Sequence, residues 1–200
     1  MMHRLLLRIA LGVSLMVLGG CAGTQPTRFY VLTSLSRSDA KRAVAVGQGV
    51  AIGIRPVALP RYLDRPQIVT RASRNQLDIA DFDQWAEPLK DSIANVIAEN
   101  LSILIPTDSI AVFPWNRSTP VLYQLAVEVT RFEGNAGGDS LLIARWSVIG
   151  EKGRKVVVSR KSSFREPVGA EDYKAVVSAM NKTLDDLSRE IAKAIKGLPM

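Results

Sequence analysis

Residues 123–150 read YQLAVEVTRFEGNAGGDSLLIARWSVIG, and this stretch decides the fold. Tyr123, Leu125, Val127 and Val129 alternate with Gln124, Ala126, Glu128 and Thr130, the period of two that puts one face of a strand in a core. After Asn135-Ala136-Gly137-Gly138-Asp139, a hairpin loop by composition, Leu142, Ala144, Trp146 and Val148 repeat the pattern. Glu151-Lys152-Gly153-Arg154 makes a further turn, and residues 155–164 supply a third strand. The whole is expected to be an antiparallel meander.

A sheet with one apolar face needs a cover. Downstream, Tyr173, Val176, Val177, Met180, Leu184, Leu187, Ile191 and Ile195 recur at three and four residues. Glu171 and Asp172 suit the start of that helix, Lys193 and Lys196 its end, Gly197 its C′ position and Pro199 the stop. Upstream, Leu89, Ile93, Val96 or Ile97, Leu101 and Leu104 form a second such stripe, with Pro88 in the first turn and Pro106 beyond the end. Short strands are expected at 28–32, 47–57, 67–71, 76–80 and 109–113; in the second of these Val50, Ile52 and Ile54 alternate before Pro56. Helices and strands do not alternate regularly. The expected class is therefore α+β, a mostly antiparallel or mixed sheet with two long amphipathic helices packed on one face.

The chain opens with Arg4 and Arg8, an apolar run over 9–18, and Leu18-Gly19-Gly20-Cys21. Ten residues of helix reach about 15 Å, half of a hydrocarbon core of roughly 30 Å, so the run does not span a bilayer. Residues 1–20 read as a signal peptide whose ending resembles the bacterial lipobox, with Cys21 as the lipidated residue. Residues 21–27 then form a lipidated tether of at most about 28 Å from Cys21 to Phe29, and 28–200 a single domain. Cleavage removes two arginines and takes the formal charge from +7 to +5. A mildly basic, interspersed charge suits phospholipid headgroups or an acidic protein, not nucleic acid.

His3 is the only histidine and Cys21 the only cysteine, and neither remains free in the mature chain. Ser-His-Asp and Cys-His hydrolysis, zinc sites, disulfides and CxxC redox chemistry are thereby set aside; carboxylate or lysine chemistry is what remains for an enzyme, and no metal or cofactor is expected. Gly47, Gly49 and Gly53 are spaced GxGxxxG and precede a strand, the wrong context for a dinucleotide turn. Ser38-Asp39-Ala40-Lys41 satisfies SxxK but lies in a polar loop without partner motifs. Asp78, Asp81, Asp83, Glu87 and Asp91 lack calcium-loop spacing and read as a solvated helix entrance.

Two surface features are left. Arg61-Tyr62-Leu63-Asp64-Arg65 sits between Pro60 and Pro66, a rigid connector expected to contact a partner or a second copy. The competing reading has Arg65 locking the connector through Asp64 or an acidic residue near Trp85. Lys152, Arg154, Lys155, Arg160, Lys161 and Arg165 crowd the last hairpin as a strip for headgroups or a partner, or as an ordinary soluble strand face.

A lipobox followed by Phe29-Tyr30-Val31-Leu32, by Leu59-Pro60-Arg61-Tyr62-Leu63-Asp64-Arg65-Pro66-Gln67-Ile68-Val69-Thr70-Arg71, and by Phe82 with Trp85-Ala86-Glu87-Pro88-Leu89 resembles the PqiC-like ABC-transport auxiliary lipoproteins. The resemblance implies an outer-membrane lipoprotein on the periplasmic side, not an enzyme, forming a homo-oligomer and working with an MCE-domain transport protein that moves lipid between membranes. Ala22 after the cysteine agrees with outer-membrane delivery. The leading expectation is a docking module for that system; the alternative is a periplasmic carrier holding the acyl chains of a phospholipid itself.

Overall fold

The computed structural model describes residues 25–36, 51–105, 107, 109–115, 121–150 and 153–198. The signal segment, Cys21, Ala22, Ser38, Lys41, Gly47, Gly49, Val50, Pro106, Glu151, Lys152 and Pro199 lie outside these. Among the described residues ten elements follow one another: β1 Arg28–Tyr30, β2 Ile52–Ile54, β3 Gln67–Ser73, β4 Gln76–Trp85, α1 Leu89–Leu104, β5 Ile110–Val112, β6 Tyr123–Gly134, β7 Asp139–Gly150, β8 Lys155–Pro167 and α2 Tyr173–Lys196.

The meander forms as its alternation requires, β6 pairing antiparallel with β7 and β7 with β8. Leu142, Ala144, Trp146 and Val148 are all buried, as are Tyr123, Leu125, Val127 and Val129. Past Val129 the period slips: Val129 faces Ala144 but Arg131 faces Ile143, so Thr130 is a bulge. Its hydroxyl donates to the Ile143 carbonyl at 3.0 Å. The extra residue changes which side chains turn inward, and Phe132 enters the core in place of Arg131.

Strand β6 is the spine of a forked, mixed sheet. Its free edge takes β2 near its start, with Ile52 beside Tyr123, and β3 at its end, with Thr70 beside Gly134. From β2 the sheet continues in parallel to β5, and from β3 antiparallel to β4 and then in parallel to β1. Helix α2 packs on β6, β7 and β8, and α1 packs on α2 and β5. The helix start is capped by Asp172, whose carboxylate accepts from the Ala175 N–H at 2.7 Å. Gly197 ends α2 with φ of −86°, right-handed, so the left-handed ending expected for a C′ glycine does not form.

Segment 31–36 straps both helices. The Leu35 N–H donates to the side-chain Oδ1 of Asn100 on α1 at 2.7 Å and the Thr33 N–H to Asn181 Oδ1 on α2 at 3.1 Å, while the Asn100 side-chain Nδ2 donates to Asp185 and Ser188 on α2. Between helices and sheet, Trp146, Phe132, Leu142, Met180 and Leu184 are among the largest fully buried side chains.

Strand β4 corrects the sequence reading. It runs five residues past Ala80, so Asp78, Asp81 and Asp83 stand on a strand and not at a helix entrance. Asp83 is only 3% exposed and holds β1 in place: Arg28 Nη2 donates to Oδ2 at 2.8 Å and the Tyr30 hydroxyl to Oδ1 at 2.7 Å.

Candidate functional site

Between Pro60 and Pro66 the connector closes two tight turns, the Leu63 N–H donating to the Pro60 carbonyl at 3.0 Å and the Arg65 N–H to Leu63 at 2.9 Å. The Pro66 carbonyl then accepts from the Trp85 N–H at 2.7 Å, which ties the connector to the end of β4. Leu63 is buried and pins the turn; Arg61 and Asp64 project into solvent, with Tyr62 and Arg65 half-buried. Asp64 pairs with Lys90 of α1 at 3.6 Å. Arg65 has no ion pair among the described residues, so the internal clamp through Asp64 does not form. Its Nε is buried without a hydrogen-bond partner, and its side chain lines a cavity of about 410 Å³ with Trp85, Pro88 and Lys90.

Tyr62 is the polar member of the five that reaches inward, beside the buried Leu63. Its hydroxyl donates to Glu133 Oε2 at 2.9 Å. Burial and the neighbouring carboxylate push this phenol up to about 12. Tyr30, beside Asp83, is raised to about 12 by burial and by its hydrogen bond to that carboxylate.

Glu133 is the site residue that sequence reasoning missed. It lies on the face of β6 that turns away from α2, yet its side chain is fully buried beneath what surrounds it. Arg71 Nε donates to Oε1 at 2.6 Å and Arg131 Nε to the same oxygen at 2.8 Å, while Oε2 accepts from Tyr62 and from the Phe132 N–H. Burial alone would raise its pKa, but these hydrogen bonds outweigh it and hold the carboxyl below its ordinary range. The available signal was Arg131-Phe132-Glu133: an arginine and a glutamate two apart on a strand share a face.

The six basic residues of the last hairpin do not make one strip. Lys152 lies outside the described residues, Arg154 is in the turn, and Lys155 is opposite Gly150. Register puts Lys161 opposite Arg145 and Arg165 opposite Leu141, on the outer face of the sheet. Arg160 falls opposite Trp146 on the helix-covered face, its guanidinium 5.8 Å from the Trp146 ring centre and 3.8 Å from Glu190 of α2. Neighbours in sequence alternate faces in a strand, so a run of charge divides. The outer face gathers a different set: Arg71, Arg131, Arg145, Lys161 and Arg165, with Glu128, Glu133 and Asp139 among them. No described helix is long and apolar enough to cross a membrane.

Residues 30–192 match the family described as the ABC-type transport auxiliary lipoprotein component. The chain belongs to this family. Among its relatives, the intermembrane transport lipoprotein PqiC of Escherichia coli K12 is 26% identical over 184 residues, covering 91% of this chain and 94% of PqiC. The fold recurs in a crystal structure of an uncharacterised protein, at 22% identity and a TM-score of 0.70, covering 86% of this chain and 99% of the other. A protein from Xanthomonas campestris shares it at 20% identity and a TM-score of 0.69, with 84% and 94% covered.

Proposed function

We propose that this auxiliary lipoprotein is anchored through Cys21 in the outer membrane, faces the periplasm, and docks an MCE-domain transport protein so that phospholipid passes between the membranes. The observation that carries the reading is the family match across 30–192, joined to a relative named for intermembrane transport. The domain spans 28–200, performs no catalysis, needs no cofactor, and assembles with copies of itself. Docking is favoured over the carrier alternative because the space between helices and sheet is filled by Trp146, Phe132, Leu142 and Leu184, all fully buried, where acyl chains would have to lie.

Arg61 and Asp64 are the solvent-exposed connector positions, Asp64 with its pair to Lys90 at the surface, since Leu63 and Tyr62 are engaged inward. A photo-crosslinking residue at position 61 or 64, activated in intact envelopes, is expected to capture the MCE-domain protein or a second copy of the chain. Capture of neither at both positions, from protein present at normal abundance, would move docking away from the connector. For the anchor, Cys21→Ser is expected to release the protein into the soluble fraction, because stable membrane attachment depends on its acyl chains. A serine variant that stays membrane-bound through a high-salt wash would remove the lipid from the reading.

A further inference from the structure

We propose that the outer sheet face carries a binding site for a phosphate group, built on Arg71, Arg131 and Arg165. Register brings these three together from β3, β6 and β8, around a cavity of about 320 Å³ that Glu133, Asp139 and Ser73 also line. Three guanidinium groups meet two carboxylates, leaving an excess positive charge at the cavity.

The way the guanidiniums are held matters more than their number. Arg71 and Arg131 both turn the Nε edge toward the buried Glu133. Arg71 Nη1 is taken by the Arg74 carbonyl at 3.2 Å, and Arg165 Nη1 by Asp139 Oδ2 at 2.8 Å. Arg71 also bonds the Tyr62 hydroxyl, and among the described residues nothing accepts from either Nη of Arg131 or from Nη2 of Arg165. Glu133 is already satisfied by four donors, so it fixes the arginines without consuming their outer nitrogens. A fork positioned by a buried carboxylate and presenting paired N–H groups matches the tetrahedral oxygens of a phosphate mono- or diester. The chemistry is shared by a soluble phosphate ester and a phospholipid headgroup, and it does not depend on docking at the connector.

The test uses the chain carrying Cys21→Ser, which has no acyl anchor, in detergent-free buffer, titrated with inorganic phosphate and followed by phosphorus NMR, alongside flotation with vesicles of phosphatidylglycerol in phosphatidylcholine. Two substitutions separate binding from folding. Arg131→Lys leaves a cation beside Glu133 but removes the fork, and Arg165→Ala touches only the exposed Asp139. Each is expected to weaken phosphate or vesicle binding about ten-fold or more, roughly the loss of one charge-assisted contact, with the thermal midpoint in phosphate-free buffer unchanged for Arg165→Ala. Phosphate that displaces the protein from vesicles identifies the ligand as a headgroup; saturable phosphate binding without displacement identifies a soluble ester. No saturable binding in either arm, or binding that survives both substitutions, would overturn the site and leave the cluster as an ion network joining β3 to β6.

Discussion

Burial alone would favour a neutral Glu133, yet two guanidiniums, a phenol and a backbone N–H converge on its carboxylate and keep it ionised. A carboxyl whose folded pKa lies below its unfolded value, about 4.3, contributes stability above that value. The contribution disappears as pH falls through the folded pKa. Glu133→Gln is expected to cost about 3 kcal/mol at neutral pH, near the lower end for breaking a buried ion pair because Arg71 and Arg131 keep partial contact with water. Thermal midpoints measured from pH 7 to pH 3 check it: the parent should lose stability on acidification more steeply than the variant, and equal slopes would show that Glu133 is not the titrating group. Nothing in the local sequence gives this away beyond the spacing of Arg131 and Glu133. Tyr62 and Arg71 arrive from 71 and 62 residues away, and such partners have no local signature.

At the scale of elements, β7 and α2 were legible because their burial follows a period. Strand β4 was legible only in its first half. Asp81, Phe82 and Asp83 alternate polar and apolar, but the buried one is Asp83 and the exposed one Phe82, and aspartate is depleted in strands; β4 persists because β1 lies alongside and satisfies Asp83. Asn100 was equally hidden, a polar residue in an apolar helix stripe whose partners come from segment 31–36 and from α2. The contact of α2 with the spine strand turns on Gly134, where an added Cβ would lie 2.8 Å from Val176 Cγ1. Gly134→Ala should therefore push the first turn of α2 off β6 and destabilise by about 1–3 kcal/mol. Val176→Ala alone should cost a similar amount as a cavity. Together, urea denaturation should show them less harmful than their sum, because the second change vacates the space the first demands; strictly additive losses would mean the helix start adjusts freely.

Across the whole molecule, the meander and the two helices are local in sequence, and pattern alone places them. The fork is not. It is made where β2 and β3 both join β6, extended by β5 and β1; the short strands β1, β2 and β5 fall inside the expected ranges, but nothing local in them names a distant parallel partner. Trp85 sits where these distant parts meet. It is the last residue of β4, pairs with Tyr30 of β1, donates its N–H to the connector at Pro66, and stands four residues before α1, only 5% exposed. Removing its ring leaves the N–H bond but empties the junction of connector, β1 and α1 at once. Trp85→Ala is expected to cost about 3–5 kcal/mol, a large share of a typical 5–15 kcal/mol. Because the core joins β4 to both helices, the loss should appear as one transition shifted to lower urea and not as a separate early melting of β1 and the connector. Far-ultraviolet circular dichroism and the fluorescence of Trp115 and Trp146, read through the same titration, decide this: coincident curves place Trp85 in the common core, whereas an early phase would make the N-terminal strand and connector a unit that folds onto the rest.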